Sequence, residues 1–315
     1  MRVLITGGAG FIGSHIVRQL VNDNIDVVVL DNLISGQFEH IPDGVIFWQE
    51  DIRNKTVRER IAGGHFDAIV HLAAQILVDA SIRDPYFDAD ENIMGLVNVL
   101  EGARAGGVRR VIFPSSAAVY GDVAESQLPL SEDTPLAPLS FYGLTKEMSE
   151  RYLELYHRHY GLEYVVLRFA NVYGERQGDK GEGGVISIFA KKAARGEDIT
   201  IYGDGNQTRD FVYAGDIARG ISRALVTEHA NTAYNLCTQT ETSLNDLVKI
   251  FNSIRQLDWH VSYGPARDGD IYRSCLSRAK AQQGLGWSPV MSLPEGLNRT
   301  MQYFLTNRAT NQETH

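Results

Sequence analysis

Short apolar runs rich in β-branched residues alternate with longer amphipathic stretches over the first 170 residues. Runs that are apolar on both faces are typical of parallel strands covered by helices on each side. They predict strands over Arg2–Thr6, Asp26–Asp31, Val45–Asp51, Ala68–Leu72, Arg110–Ser115 and Glu163–Phe169. The amphipathic stretches predict helices over Phe11–Asn22, Lys55–Ala62, Asp88–Arg104 and Tyr142–Tyr160. This alternation predicts an α/β fold, a Rossmann-type doubly wound parallel sheet.

The pattern changes after Asn171, where residues 174–184 form a stretch rich in Gly and charge. Further helices are predicted near Val185–Arg195 and Ser243–Leu257, and short strands near Thr200–Tyr202 and His260–Tyr263. We therefore expect a Rossmann-type domain over residues 1–170 and a smaller C-terminal domain over residues 171–315. Part of residues 208–240 is expected to pack back on the first domain.

Composition excludes several classes of protein. Of the 315 residues, 43% are hydrophobic, which is enough for a packed core. The longest apolar runs, such as Val27–Leu30, fall far short of the roughly 20 residues of a membrane-spanning helix. The net charge of -9 argues against nucleic acid as a partner. Cys237 and Cys275 match neither a disulfide framework nor a metal site, so we expect no metal and a reducing cytoplasm. The first five residues, Met1 to Ile5, lead at once into a Gly cluster without an apolar signal region, so we expect no leader segment.

A glycine-rich segment joins the first predicted strand to the first helix. Gly7, Gly10 and Gly13 allow a tight turn, close approach of a pyrophosphate and close packing of the helix on the strand. The helix N-terminus then offers N–H groups to the phosphates. Asp31 ends the second strand, where a carboxylate would hold a ribose diol and repel a 2′-phosphate. The pattern therefore predicts NAD rather than NADP.

Tyr142 and Lys146 lie four residues apart at the start of a predicted helix, so their side chains share one face. A phenol has an unperturbed pKa near ~10, and a nearby ammonium together with an oxidised nicotinamide would favour the phenolate. Ser116 ends a predicted parallel strand, at the edge where open α/β sheets bind ligands. We expect Ser116 to hydrogen-bond a substrate oxygen beside Tyr142.

These motifs, in this order, resemble those of the extended short-chain dehydrogenase/reductases that act on nucleotide sugars. The likeness covers nearly the whole chain, and it includes His71–Ala74 and Asn92–Gly95. It implies that Ser116, with Ser115 beside it, Tyr142 and Lys146 are catalytic. The cofactor-binding residues that it implies, together with the fingerprint above, are Gly7, Gly10, Phe11, Ile12, Gly13, Asp31, Asn32, Asp51, Ile52, Leu72, Ala73, Ala74, Tyr142 and Lys146.

One short segment separates the reaction classes of that family. Its 4,6-dehydratases and UDP-glucuronate decarboxylases carry an acidic residue after the serine or threonine of this strand end, whereas this chain has Ala117 and Ala118. The resemblance is therefore to the 4-epimerases, above all those of UDP-glucose. Alternatives on the same scaffold are an epimerase of UDP-glucuronate or of a deoxysugar nucleotide. A non-catalytic NAD-binding regulator is disfavoured by the complete set of Ser116, Tyr142 and Lys146.

The resemblance also implies a UDP-sugar site in the second half of the chain. Asn171, Arg209 and Arg267 are expected on the nucleotide phosphates, and Asp270 toward the ribose. An Arg side chain suits phosphate because its planar fork donates two hydrogen bonds. Ser116 and Tyr142 would contact the sugar. Ser274 is expected beside the C2 substituent, where a small side chain leaves room for an N-acetyl group. If the count is shifted by one residue, Cys275 would also leave room, whereas Arg273 would close the pocket.

The same resemblance implies a homodimer. Helices Asp88–Arg104 and Tyr142–Tyr160 would pair across a two-fold axis. The apolar stripes expected at that interface are formed by Ile93, Val97, Leu100, Met148, Tyr152 and Leu155.

Overall fold

The computed structural model describes residues 1–178, 184–255, 259–266 and 271–312. Twelve strands lie within these residues: β1 Arg2–Thr6, β2 Asp26–Asp31, β3 Ile46–Gln49, β4 Ala68–His71, β5 Arg110–Ser116, β6 Glu163–Phe169, β7 Asn171–Tyr173, β8 Ile199–Tyr202, β9 Thr208–Tyr213, β10 Thr232–Leu236, β11 Glu241–Ser243 and β12 Val261–Gly264.

The α-helices of the same residues are α1 Phe11–Asn22, α2 Lys55–Ala62, α3 Val78–Arg83, α4 Pro85–Ala89, α5 Gly95–Ala105, α6 Phe141–Tyr160, α7 Val185–Arg195, α8 Ala214–Val226, α9 Leu244–Arg255, α10 Ala279–Leu285 and α11 Leu293–Gln312. A π-helical turn covers Asp90–Met94, and short 3₁₀ turns cover Phe38–His40, Ala117–Val119 and Glu125–Gln127. Within this described part of the chain, no helix is both long enough and apolar enough to cross a membrane.

The main sheet has seven parallel strands among the described residues, in the order β10-β6-β5-β4-β1-β2-β3. The chain winds outward from β1 in both directions, so the strand order reverses between β1 and β4. Such a reversal opens a crevice at the carboxyl ends of the strands, and ligands bind there. The predicted Rossmann-type doubly wound sheet is confirmed.

Alternate side chains of the central strands point to opposite faces of the sheet and enter two separate apolar layers. Val3 and Val29 pack on one face with α1 and α8, and Leu4 and Val28 pack on the other with α2 and α5. This two-sided burial explains why the strands are apolar along their whole length. A third apolar cluster joins α7, α9 and α11 around Phe251.

The second half of the chain contributes a strand and a helix to the main sheet and its apolar layer. Strand β10 pairs in parallel with β6 at the edge of the main sheet, and α8 packs beside α1 in the same apolar layer. β10 was not predicted because it carries the polar residues Thr232 and Asn235. Asn235 is fully buried and accepts a hydrogen bond from the Tyr120 phenol over 2.8 Å.

The continuous helix predicted over Asp88–Arg104 is wrong. The structure divides this region into α4, the π turn and α5, and the Gly95 N–H donates to the carbonyl of Asp90, five residues earlier. The wider turn lets Asp88 and Asn92 bury their polar side chains together, with Asn92 Nδ2 donating to Asp88 Oδ1 over 3.2 Å. Leu100, expected in an exposed stripe, is instead fully buried against the sheet.

Neighbouring residues at the end of α8 test whether this helix belongs to the core of the first domain. Leu225 is fully buried in that core, whereas Val226 is 60% exposed. We expect Leu225→Ala to lower the free energy of unfolding by about 2–5 kcal/mol, because it leaves a cavity in a packed layer. Val226→Ala, the matched control, should change it by less than about 0.5 kcal/mol. Reversible urea denaturation measures both, and equal effects of the two variants would contradict the assignment.

Candidate active site

The turn between β1 and α1 has no room for side chains at two of its glycines. Gly7 has a φ of +72°, and a Cβ added there would lie 2.7 Å from the backbone nitrogen of Ala73. A Cβ at Gly13 would collide with the carbonyl of Gly7. These two positions require glycine because the first turn of α1 lies directly against the ends of β1 and β4. Because these glycines carry no side chains, the backbone at the start of α1 is open to a ligand, and we refer to residues Gly7–Gly13 as the glycine cradle.

The first turn of α1 presents backbone groups to that cradle. Gly10 is the N-cap residue and makes no side-chain capping hydrogen bond. Phe11 is buried and contacts His15 edge-on, with ring centroids 5.8 Å apart, and Ile12 packs against the core. The side chains of Phe11 and Ile12 therefore pack within the protein. Their backbone N–H groups can bind a cofactor, because N–H groups at a helix N-terminus suit the anionic oxygens of a pyrophosphate.

Asp31 lies beside this cradle at the end of β2. Its carboxylate accepts hydrogen bonds from the backbone N–H of Ala9 over 3.0 Å and of Leu33 over 2.8 Å. Burial raises the pKa of Asp31, and these two hydrogen bonds oppose that rise. The carboxylate is therefore fixed in place at the point where the sequence predicts a ribose diol.

Asp51 directs its carboxylate to neighbouring side chains. Both oxygens accept hydrogen bonds from Arg53, and one also accepts from Asn32 over 3.0 Å. These bonds to Arg53 lower the pKa of Asp51 to about 2. Ile52, the next residue, is buried and lines the cofactor cavity. Of these two residues that the resemblance implies for the cofactor, Asp51 is thus engaged in an ion pair and Ile52 forms an apolar wall.

A cavity of about 330 Å³ opens at the reversal of strand order. Predicted cofactor residues that line it are Gly7, Gly10, Asp31, Asn32, Ile52, Leu72, Ala73 and Ala74. Gln75, Leu77 and Glu91 line it as well and were missed, because in the sequence they read as ordinary polar or apolar helix-flanking positions. An apolar cleft that ends at a glycine cradle and a fixed carboxylate fits a dinucleotide such as NAD.

Lys146 lies buried on α6, facing the end of β5. Its Nζ donates to the carbonyl of Pro114 over 3.0 Å and lies 4.8 Å from the centroid of the Phe113 ring. Burial lowers the pKa of Lys146 to about 8, against the opposing effect of the Asp88 and Glu150 carboxylates. Near pH 8, the ammonium and the neutral amine of Lys146 are therefore present in comparable amounts.

Tyr142 lies one helical turn before Lys146. Its ring centroid is 5.9 Å from Lys146 Nζ, and its phenol oxygen is hydrogen-bonded by the Ser116 hydroxyl. Burial raises the pKa of Tyr142, the bond from Ser116 lowers it, and the Asp88 charge raises it. The expected lowering of this pKa by Lys146 is not among these three effects, and the Lys146 ammonium donates to the Pro114 carbonyl.

The structure separates the two adjacent serines. Ser115 donates to Glu150 Oε1 over 2.6 Å on the buried side of the strand end. Ser116 points to Tyr142 and also accepts from the Ala118 N–H over 3.2 Å. Ser116, Tyr142 and Lys146 are thus brought together, and Ser115 is used for internal bonding.

The predicted substrate residues are only partly described. Asn171 and Arg209 line one cavity of about 440 Å³ with α7 and β8. Arg267 and Asp270 lie outside the described residues. Ser274 is half-buried on a segment that is bonded on both sides. Thr208 N donates to the Tyr272 carbonyl over 2.9 Å, and Leu130 N donates to the Cys275 carbonyl over 2.9 Å.

The described residues contain no group of three or more His, Cys, Asp or Glu side chains that could hold a metal ion.

The chain is similar to known proteins along nearly its whole length. It is 44% identical to a putative UDP-glucose 4-epimerase of Methanocaldococcus jannaschii, with 98% of this chain and 100% of that protein covered. The UDP-glucose 4-epimerase structure of Thermotoga maritima with UDP-glucose has a TM-score of 0.94 at 41% identity, covering 98% and 100% of the two chains. The UDP-N-acetylglucosamine 4-epimerase of Methanobrevibacter ruminantium in complex with UDP-N-acetylmuramic acid has a TM-score of 0.92 at 32% identity, covering 97% and 98%.

A family model gives the same assignment and covers most of the chain. Residues 3–237 match the model of the NAD dependent epimerase/dehydratase family. That match includes the glycine cradle, Asp31, and the cluster of Ser116, Tyr142 and Lys146. This chain therefore belongs to the NAD dependent epimerase/dehydratase family, and NAD is its cofactor.

Proposed function

We propose that this protein is an NAD-dependent 4-epimerase of UDP-sugars, which interconverts UDP-glucose with UDP-galactose and UDP-GlcNAc with UDP-GalNAc. The observation that carries the proposal is the pair of Ser116 and Tyr142 one helical turn from buried Lys146, at the carboxyl end of β5. Strand β5 lies next to β4, and Leu72–Ala74, directly after β4, line the cofactor cavity. The similarity to 4-epimerases over the full chain supports the same reaction.

The residues that would hold NAD are the backbone of the Gly7–Gly13 cradle, Asp31 at a ribose diol and Lys146 at the nicotinamide ribose. When bound, NAD supplies reversible hydride transfer at C4 of the sugar. The protein contributes orientation, exclusion of water and proton transfer. No net oxidation results, because the hydride removed from one face of the sugar is returned to the other.

Tyr142 Oη accepts the proton of the sugar 4-hydroxyl as the C4 hydrogen is removed. The Ser116 hydroxyl donates to the Tyr142 phenol oxygen, so its own oxygen can accept a hydrogen bond from the sugar 4-hydroxyl and give the proton a path to Tyr142. Lys146 as an ammonium favours the phenolate form of Tyr142 electrostatically. The 4-keto sugar then turns about its phosphate link, and Tyr142 returns the proton once the opposite face of C4 has been reduced.

The turn that follows Ser116 favours epimerisation over elimination or decarboxylation. Ala117 and Ala118 begin a 3₁₀ turn whose N-cap is Ser116, with the Ala118 N–H donating to the serine oxygen. Two methyl groups at these positions provide no carboxylate to protonate a leaving group at C6 or to assist loss of carbon dioxide. The 4-keto sugar would therefore be reduced again without further reaction.

The cavity that contains Asn171 and Arg209 is our candidate for the UDP site. It lies between α7, β8 and β9, and its walls combine apolar side chains with Lys192 and Arg209. A cavity lined by apolar side chains and by cations suits a uracil base followed by a diphosphate. We also propose that Arg267 and Asp270 complete this site.

We propose that Ser274 leaves the sugar pocket wide enough for an N-acetyl group. The segment that holds Ser274 is bonded on one side to Thr208, next to Arg209, and on the other to Leu130, in the loop after β5. Arg273, which could otherwise fill the space, is directed to Glu125 and Glu241 by ion pairs of 2.9 and 2.5 Å. The Methanobrevibacter ruminantium neighbour, a UDP-N-acetylglucosamine 4-epimerase, has the same fold.

We further propose a homodimer in the cytoplasm. Large apolar side chains on α6 and the π turn are exposed, and they form one patch for a second copy: Met94, Leu144, Met148, Tyr152 and Leu155. A contiguous apolar patch of this kind marks an association surface. The two cysteines are free and buried, which suits a reducing compartment.

Replacing the phenol should abolish most of the turnover without affecting NAD binding. General acid–base catalysis contributes about 10²–10⁴-fold, so we expect Tyr142→Phe to lower kcat by that factor. Tyr160→Phe, at the exposed end of the same helix, should retain the wild-type rate. The measurements are the rate of UDP-galactose conversion and the NAD released on denaturation. A Tyr142→Phe variant with the wild-type rate would remove Tyr142 from the mechanism.

A substitution at Ser274 tests how large a C2 substituent the sugar pocket accepts. A phenol there would occupy the volume of an acetamido group, so Ser274→Tyr should abolish conversion of UDP-GlcNAc while conversion of UDP-glucose continues. Ser274→Ala, which stays small, should retain both activities. NMR of the product mixtures measures all four rates. Equal rates of Ser274→Tyr and the wild type on UDP-GlcNAc would contradict the assignment.

The association surface is tested by a charge on α6. Leu155 is 46% exposed, and Leu155→Glu should shift the protein toward the monomer, since an unpaired charge would be buried at the interface. Val226→Glu places the same charge on exposed α8 and should leave a dimer. Light scattering at micromolar protein gives the mass of each. A monomeric wild type, or a dimeric Leu155→Glu variant, would refute this interface.

A further inference from the structure

A fully buried carboxylate lies behind the catalytic helix, outside the residues assigned so far. Asp88 on α4 has no exposed surface. Its Oδ2 accepts from the Thr145 hydroxyl over 3.0 Å, and its Oδ1 accepts from Gln75 Nε2 over 2.7 Å. Thr145 lies on α6 between Tyr142 and Lys146, and Gln75 lines the cofactor cavity. Asp88 therefore bonds at once to the catalytic helix and to the cofactor wall.

The π turn completes this arrangement. Asn92 Nδ2 donates to Asp88 Oδ1 over 3.2 Å and lies 3.1 Å from the Thr145 hydroxyl. Its Oδ1 accepts from the backbone N–H of Gln75 over 2.8 Å. An α-helix widened by one residue is frequently found at functional sites. Here it brings the side chains of Asp88 and Asn92, from adjacent turns, into contact with both Gln75 and Thr145.

The hydrogen-bond partners of Asp88 are all neutral, so its charge is balanced from further away. The cation whose field acts on Asp88 is Lys146, and the Asp88 charge acts in turn on Lys146 and Tyr142. A buried carboxylate is costly unless a cation and hydrogen bonds compensate it. Asp88 and Lys146 thus form the charge pair on which the buried site depends.

The other titratable groups that face this pair are accounted for. Glu150, one turn after Lys146, is held by Arg168 in a bidentate pair with a closest approach of 2.7 Å. His71 lies on β4 below Lys146, where burial lowers its pKa to about 3, so it is neutral near pH 7. Asp88 is therefore the negative group near Tyr142 that has no guanidinium partner of its own among the described residues.

We propose that Asp88 is a positioning residue that fixes α6 against the cofactor wall and, as the counterion of Lys146, sets the pH range in which Tyr142 and Lys146 work together. The kinetic part of this proposal rests on the proposed epimerase function. The titration of Tyr142 does not, since it needs no substrate.

The sign of the effect follows from the charge. The Asp88 carboxylate stabilises the ammonium and disfavours the phenolate, so it raises the pKa values of both Lys146 and Tyr142. Asp88→Asn removes the charge and keeps the shape, and its amide can still pair with Thr145 and Gln75. The pKa values of Lys146 and Tyr142 should both fall in this variant. A residue with a merely structural role would change the rate and leave both titrations where they are.

The experiment compares Asp88→Asn with Asp84→Asn. Asp84 is the exposed N-cap of the same helix, where asparagine caps equally well, so it controls for loss of one charge. Ultraviolet difference titration against Tyr142→Phe reports the Tyr142 phenolate in cofactor-free protein. We expect its midpoint to fall in Asp88→Asn and to stay unchanged in Asp84→Asn. An unchanged midpoint in Asp88→Asn overturns the proposal.

The kinetic arm measures kcat against pH in the NAD-loaded enzyme. Both limbs should move to lower pH in Asp88→Asn, with NAD content unchanged. Thr145→Val keeps the Asp88 charge and removes one hydrogen bond to it, so it should lower kcat about tenfold. The midpoint of the Tyr142 titration should not fall in this variant. If Asp88→Asn does not fold, Thr145→Val takes its place in the test. Wild-type kcat in Thr145→Val contradicts the positioning role. A shifted midpoint in Asp88→Asn with a wild type inactive on UDP-sugars would overturn the proposed function and leave the counterion role standing.

Discussion

The burial of the Lys146 ammonium is the constraint around which the site is arranged. Its Nζ donates to the Pro114 carbonyl over 3.0 Å, and burial lowers the pKa of the ammonium because it disfavours the charged form. Two carboxylates, Asp88 and Glu150, oppose this from different sides. The ammonium form is thus favoured by two carboxylates in a region of low dielectric, where charges interact more strongly than they would in water.

The same polar network joins the two halves of the chain. Glu150 pairs with Arg168 on β6, and Arg168 donates in turn to the Tyr120 phenol over 2.9 Å. Tyr120 donates to Asn235 on β10, which extends the sheet from the second half of the chain. Loss of one member would leave a buried polar group unpaired, and this is more costly than the bond itself. The carboxyl end of β5, which holds Ser116, is therefore supported by residues from both halves of the chain.

Much of the fold and cofactor cradle was predictable because local chemistry decides it. Apolar runs such as Val27–Leu30 fit only a strand buried on both faces, and Gly7 and Gly13 occupy positions where a Cβ would collide with backbone. The alignment of Tyr142 with Lys146 follows from helical spacing. The broken helix and strand β10 were missed, because Asp88, Asn92 and Asn235 are polar residues that are buried only through partners distant in the sequence.

The sequence by itself determined the doubly wound sheet, the turn that fits a dinucleotide, and the residues of the Ser116, Tyr142 and Lys146 cluster. Periodicity and glycine spacing are local properties, and the chain carries them wherever it folds. Tertiary structure decided which of the two serines faces Tyr142, since Ser115 is bonded to Glu150. It also decided the ionisation of the site, because the pKa values of Tyr142 and Lys146 depend on burial and on Asp88, which lies more than fifty residues away along the chain.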